Sequence, residues 1–177
     1  MSKKQKKKNT WPIIITLIAF IISFIFSFIS EKSISKVNII IQVVILIVFI
    51  IIGIIFDMIG VAVTGSDEKP LHAMSAKKIK GAKKAVSFKK NADKVSSFCN
   101  DVIGDICGII SGAAGTTIAV NIAKALNVEL LFVNLTVAAI IAALTIGGKA
   151  MGKSFAMNKS DIILYEFAKI VSIFYKG

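Results

Sequence analysis

The chain has 177 residues, a formal net charge of +12 and 55% hydrophobic residues. That is too apolar for an ordinary soluble domain, and the apolar residues come in long runs, so the composition indicates one compact integral membrane domain. All 22 basic residues are lysine. Nucleic-acid binders use arginine for bidentate contacts, so nucleic acid is not an expected partner. Clustered lysine beside apolar runs points instead to topology signals and anionic lipid headgroups.

Taken in order, residues 1–10 form a lysine-rich cytoplasmic tail. The first span is expected over residues 11–30, where Trp11 is an interface anchor and Pro12 sits in the first turn. This run is longer than the ~7–15 residues of a signal h-region, and no A-x-A site follows it. A retained span is therefore read ahead of a cleaved signal peptide. Phe20, Phe24, Phe26 and Phe28 read as lipid-facing or packing residues. After a short loop at 31–38, the second span is expected over 39–63. Its β-branched residues do not argue against a helix, because in lipid the backbone must satisfy its own hydrogen bonds.

Residues 66–97 are polar and rich in lysine. Within them, 76–88 is read as a basic amphipathic helix on the membrane surface, and His72 as an exposed connector residue. The third span is expected over 98–123. Its glycines Gly104, Gly108 and Gly112 recur every fourth residue and mark a helix face for close packing. Cys99 and Cys107 are separated by about 12 Å of helical rise, too far for a disulfide. They read as two small apolar thiols.

A short loop at 124–129 leads to the fourth span, 130–146. A glycine-rich break over 147–153 and a helix beginning at Ser160 come next. Ser160 is read as that helix's cap, with Asp161 in its first turn. Ile162, Ile163, Phe167, Ile170, Val171 and Phe174 make a broad apolar stripe, expected to lie beside the membrane.

The expected fold class is thus all-α and polytopic: four transmembrane helices, a basic cytoplasmic connector helix and a C-terminal juxtamembrane amphipathic helix. Lysine sets the topology. The tail, the 66–97 connector and the C-terminus are basic, whereas the other two loops carry only Lys32, Lys36 and Lys124. The positive-inside rule then predicts a multi-pass cell-membrane protein with both termini cytoplasmic.

Charged groups near membrane depth are costly and point to an ion, a proton or a partner. Here they are Asp57, Asp101, Asp105 and Lys149, all expected near the cytoplasmic ends of three neighbouring spans. Carboxylates with carbonyls freed at a glycine break would suit Mg²⁺. Equally, Lys149 could pair with Asp57 or Asp105 and replace a cation outright. Both readings stay open on the residues alone. No Ser/His/Asp or Cys/His arrangement, P-loop, GxGxxG or HExxH is present, so no enzyme and no resident cofactor is expected.

The order of these features resembles the transmembrane domain of the CorB/CorC and CNNM magnesium-transport proteins. The resemblance is carried by Asp57-Met58-Ile59-Gly60-Val61-Ala62, Gly81-Ala82-Lys83-Lys84-Ala85, Ile103-Gly104-Asp105 and Gly148-Lys149-Ala150-Met151-Gly152-Lys153, with the amphipathic helix after them. It divides the chain into a tail (1–10), N-terminal hydrophobic spans (11–56) and a CorB-like membrane domain (57–177). It implies Mg²⁺ or another divalent cation as the transported ion. Asp57, Gly104, Asp105 and Gly148 would line its site, and two copies would pair through the glycine face of the third span. The chain also departs from the family pattern. The family's acidic residue in the first motif is Gly60 here, its Asn is Asp105, its Glu is Lys149 and its Pro is Gly152. The sequence ends at Gly177 without the usual nucleotide-binding CBS pair, so ATP-linked regulation in cis is not expected. The alternative function is a non-transporting scaffold or accessory subunit in which Lys149 takes the cation's place.

Overall fold

The computed structural model describes residues 11–34 and 37–174. The basic tail, the C-terminal residues 175–177, and the side chains of Trp11, Phe26, Lys32 and Lys36 lie outside the described part. Among the described residues every regular element is a helix: α1 (Trp11–Ile34), α2 (Ile39–Gly65), α3 (Glu68–Ala76), α4 (Ala82–Lys90), α5 (Ala92–Ser97), a π-helical segment (Phe98–Gly104), α6 (Asp105–Leu126), α7 (Leu130–Asn158) and α8 (Ser160–Phe174).

Three of these helical stretches are long and apolar enough to cross a membrane: Ile39–Gly65, Ala92–Leu126 and Leu130–Asn158. The apolar part of α1, Pro12–Ile25, is shorter. Only 6% of the most apolar stretch of α7 is buried inside the protein. Its Leu, Ile and Phe side chains therefore need an apolar surrounding from outside the chain, which a bilayer provides.

The α2 helix is the central element. It starts at Asn38, whose side-chain oxygen accepts a hydrogen bond from the Ile40 amide at 3.1 Å and so satisfies one of the first-turn donors. On one side, α7 lies parallel to it. Ile54 seats on Gly148 and Met58 on Gly152, which are contacts one turn apart on both helices. On the other side, the π segment and α6 run antiparallel. Asn121 Nδ2 donates to Gln42 Oε1 at 3.1 Å, Gly53 faces Gly104 and Cys107, and Gly60 faces Asn100. Leu46, Ile50, Ala114, Ile118 and Ile141 fill the space between α2, α6 and α7. The α1 helix packs Ile15, Ala19 and Ile22 against Val102, Ile106 and Ile110.

At one end of this bundle, α3, α4 and α8 form a cap around Leu71, Ala85, Leu164 and Ala168. Leu71 and Leu164 are fully buried. The cap is stitched to the end of α2. Lys89 Nζ donates to the Thr64 carbonyl at 2.8 Å, satisfying a carbonyl that the helix end leaves free. Ser160 Oγ donates to the Gly65 carbonyl at 3.2 Å, and the Asp67 amide donates to Asp161 Oδ1 at 2.7 Å.

Four local expectations are revised. The helix expected over 76–88 starts only at Ala82: α3 ends at Ala76, and Lys78 and Gly81 take positive φ, 55° and 86°, in the turn between them. The expected break at 147–153 is absent. The α7 helix runs through it, and its glycines serve as seats for Ile54 and Met58 rather than as bends. Ser160 is the first residue of α8 and bonds to the end of α2 instead of capping its own helix, while Asp161 sits in the first turn as expected and accepts from the Asp67 amide ahead of α3. The apolar stripe of α8 is divided: Ile163 and Phe167 pack half-buried against the cap while Ile162, Ile170 and Phe174 are exposed, and the fully buried residues of the helix include Leu164 and Ala168, outside the expected stripe.

Candidate functional site

Counting ~1.5 Å per residue, Asp57 lies roughly 27 Å along α2 from Ile39, and Lys149 roughly 28 Å along α7 from Leu130. Since α2 and α7 are parallel, both residues come together at the same end of the helix pair, after a run about as long as the ~30 Å hydrocarbon core of a bilayer. The Asp57 carboxylate is buried, 4% exposed. Lys149 Nζ stands 3.7 Å from its Oδ1. Lys153 Nζ stands 3.5 Å from its Oδ2. The two lysines are one turn apart on α7, so the uninterrupted helix sends both to the same carboxylate.

Neither ion pair is as short as a hydrogen bond, and Asp57 Oδ2 is buried without a hydrogen-bond donor. At an effective dielectric of about 20, each pair at this range is worth on the order of 4 kcal/mol of Coulomb energy before desolvation is subtracted. The pairs offset the burial of Asp57, and Asp57 in turn offsets the placement of Lys149 near the apolar core. One carboxylate facing two ammonium groups leaves the site with an excess positive charge.

The sequence-predicted residues fall unequally around this centre. Asp57 and Gly104 flank the Lys149 ammonium; a Cβ added at Gly104 would lie 3.6 Å from Lys149 Nζ. Gly148 adjoins Lys149, but its open side is filled by Ile54. The backbone around it is helical, so α7 frees no carbonyl there for a cation. Asp105 is exposed and makes no ion pair or side-chain hydrogen bond among the described residues. Asp101 is exposed too and accepts a hydrogen bond from the Ser97 hydroxyl at 2.7 Å. Among the described residues, no group of three or more His, Cys, Asp or Glu side chains converges as metal ligands would.

Three contributors were not found by sequence reasoning. Lys153 was hidden by the assumed glycine break; its four-residue spacing from Lys149 was the available signal. Asn100, in the π segment, presses its carboxamide against Gly60 so closely that a Cβ there would collide with it, and its Oδ1 is buried without a donor. Buried Gln42 and half-buried Asn121 form an amide pair at the opposite end of α2 and α6. Two amides near the far ends of adjacent antiparallel spans were the signal for that pair.

The class these features define is an all-helical protein with three membrane-length helices and a lysine-paired buried carboxylate at one end. No family model, characterised protein or solved structure matches the chain.

Proposed function

We propose that the chain is a non-transporting membrane scaffold or accessory subunit, with the organisation of a CorB-like membrane domain, in which lysine takes the place of a cation. The observation that carries this reading is the pair of ammonium groups on buried Asp57. A divalent cation would have to displace both of them and enter a site already in positive excess. In this reading α1 is a fourth span, both termini and the α3–α4–α8 cap are cytoplasmic, and the site lies at the cytoplasmic edge of the membrane. The exposed glycines Gly108 and Gly112 serve as the surface on which two copies pair.

The test is Mg²⁺ titration and flux. Millimolar Mg²⁺ is expected to leave the melting temperature of the purified protein unchanged. Mg²⁺ entry into proteoliposomes is expected to match empty liposomes, for wild type and for Asp105→Ala alike. A Mg²⁺-dependent rise in melting temperature, together with flux that Asp57→Ala or Asp105→Ala abolishes, would establish transport instead.

One observation favours that second reading. Asp57 Oδ2 lacks a hydrogen-bond donor and both ion pairs are long, so the flexible lysines can withdraw toward the headgroups. Asp57 and Gly104, two of the four residues expected to line the site, would then face an alternating-access path for Mg²⁺ or another divalent ion.

A further inference from the structure

The α5 helix passes through the π segment into α6, so residues 92–104 carry the chain from the lysine-rich connector into an apolar span. Two hollows open along this passage. The first, of about 530 Å³, is lined by Lys89, Lys90, Asn91, Asp93, Lys94 and Ser97. Lys89 donates to the carbonyls at the end of α2. The Lys90 and Lys94 side chains are exposed. The second, of about 320 Å³, is wholly apolar and lies between α1, α2 and the π segment with α6, walled by Ile22, Phe49, Phe98 and Ile103 among others. Lys94 and Phe98 are four residues apart on a continuous helix and so share a side of it. The basic hollow and the apolar groove therefore follow one another in the order of a lipid's headgroup and chain.

A bare anion gains little from the first hollow. Asp93 lines it too, and the Ser97 hydroxyl there already donates to the Asp101 carboxylate. A ligand that also fills the apolar groove gains from both. We propose that this passage binds one anionic phospholipid, with its phosphodiester beside Lys90 and Lys94 and an acyl chain in the groove beside α1. The proposal rests on the membrane-spanning reading of α6.

The full-length protein, purified in mild detergent, is mixed with phosphatidylglycerol, phosphatidylcholine or soluble glycerol phosphate and examined by native mass spectrometry. One phosphatidylglycerol per protomer is expected to be retained. Phosphatidylcholine should bind more weakly, by ~5-fold per lysine and roughly 30-fold for two. Lys90→Gln/Lys94→Gln should lower phosphatidylglycerol to the phosphatidylcholine level, and glycerol phosphate should not be retained. Equal retention of the two lipids, an unaffected double variant, or glycerol phosphate held as tightly as the lipid would each overturn the proposal. Carbonate extraction of membranes separates the two readings. A chain stripped from the membrane fails both, whereas a retained chain without lipid preference fails only this one.

Discussion

Asp57 illustrates why the number of partners matters more than the presence of a pair. Removing one partner of a buried pair costs about 3–5 kcal/mol when it leaves a charge uncompensated. Here each lysine is insured by the other. Lys149 is the better placed, with its side chain 23% exposed against 50% for Lys153, and its stem spans apolar surface. Lys149→Ala is therefore expected to destabilise by about 1–2 kcal/mol and Lys153→Ala by well under 1 kcal/mol, because a half-exposed pair is screened. The double variant should lose more than the sum, about 3–5 kcal/mol, since it strands Asp57. Asp57→Asn in that background should restore part of the loss. Chemical or thermal unfolding in detergent gives all four values. An additive double variant would mean that Asp57 is hydrated and not held by these lysines.

At the scale of elements, glycine does different work at positions that look alike in the sequence. Gly81 has φ of 86°, and a Cβ on it would lie 2.7 Å from the Lys169 backbone on α8. Both the backbone conformation and the close approach demand glycine, so Gly81→Ala should destabilise the cap by about 1–3 kcal/mol. Gly104 has helical φ, and its nearest neighbour would stand 3.5 Å from an added Cβ, so Gly104→Ala should change stability by less than about 0.5 kcal/mol. Hydrogen exchange across α4 and α8, compared between the two variants, checks the assignment. The helices themselves were legible because long apolar runs have one outcome in a bilayer. The location of Asp57 and Lys149 at a common depth followed from residue counting along parallel spans. What was not legible depended on tertiary contact. A Gly-Gly-Lys-Ala-Met-Gly run reads as a break until Ile54 and Met58 fill its glycines, and 76–88 reads as helix until two positive-φ residues push its start to Ala82. Asp105 looked like a site residue because apolar surroundings in sequence suggest burial. It is instead exposed.

For the whole molecule, the question is what covers the outward faces of α6 and α7. Gly108 and Gly112 are exposed, and a Cβ on either would meet nothing within 4 Å. Together with Thr116, Asn134 and Ala142 they line a groove of about 350 Å³ between the two helices. The three glycines expected on one face have different surroundings: Gly104 is buried, and a Cβ on it would lie 3.6 Å from Lys149 Nζ and 4.0 Å from the Gly53 carbonyl of α2, whereas Gly108 and Gly112 are exposed. In lipid, helices associate by van der Waals fit and side-chain hydrogen bonds rather than by hydrophobic expulsion from water. A groove of glycine edged with Thr and Asn offers both to a second copy. In Gly108→Leu/Gly112→Leu the added Cβ atoms meet nothing within 4 Å, and the longer side chains occupy the groove between α6 and α7. The monomer's unfolding midpoint should then stay within about 0.5 kcal/mol of wild type, while the partner surface is lost. Light scattering of the detergent complex is expected to move from dimer to monomer, and donor–acceptor energy transfer between labelled copies in liposomes to fall to the level of non-interacting proteins. A double variant that remains dimeric at unchanged concentration would place the contact elsewhere and leave this groove to lipid.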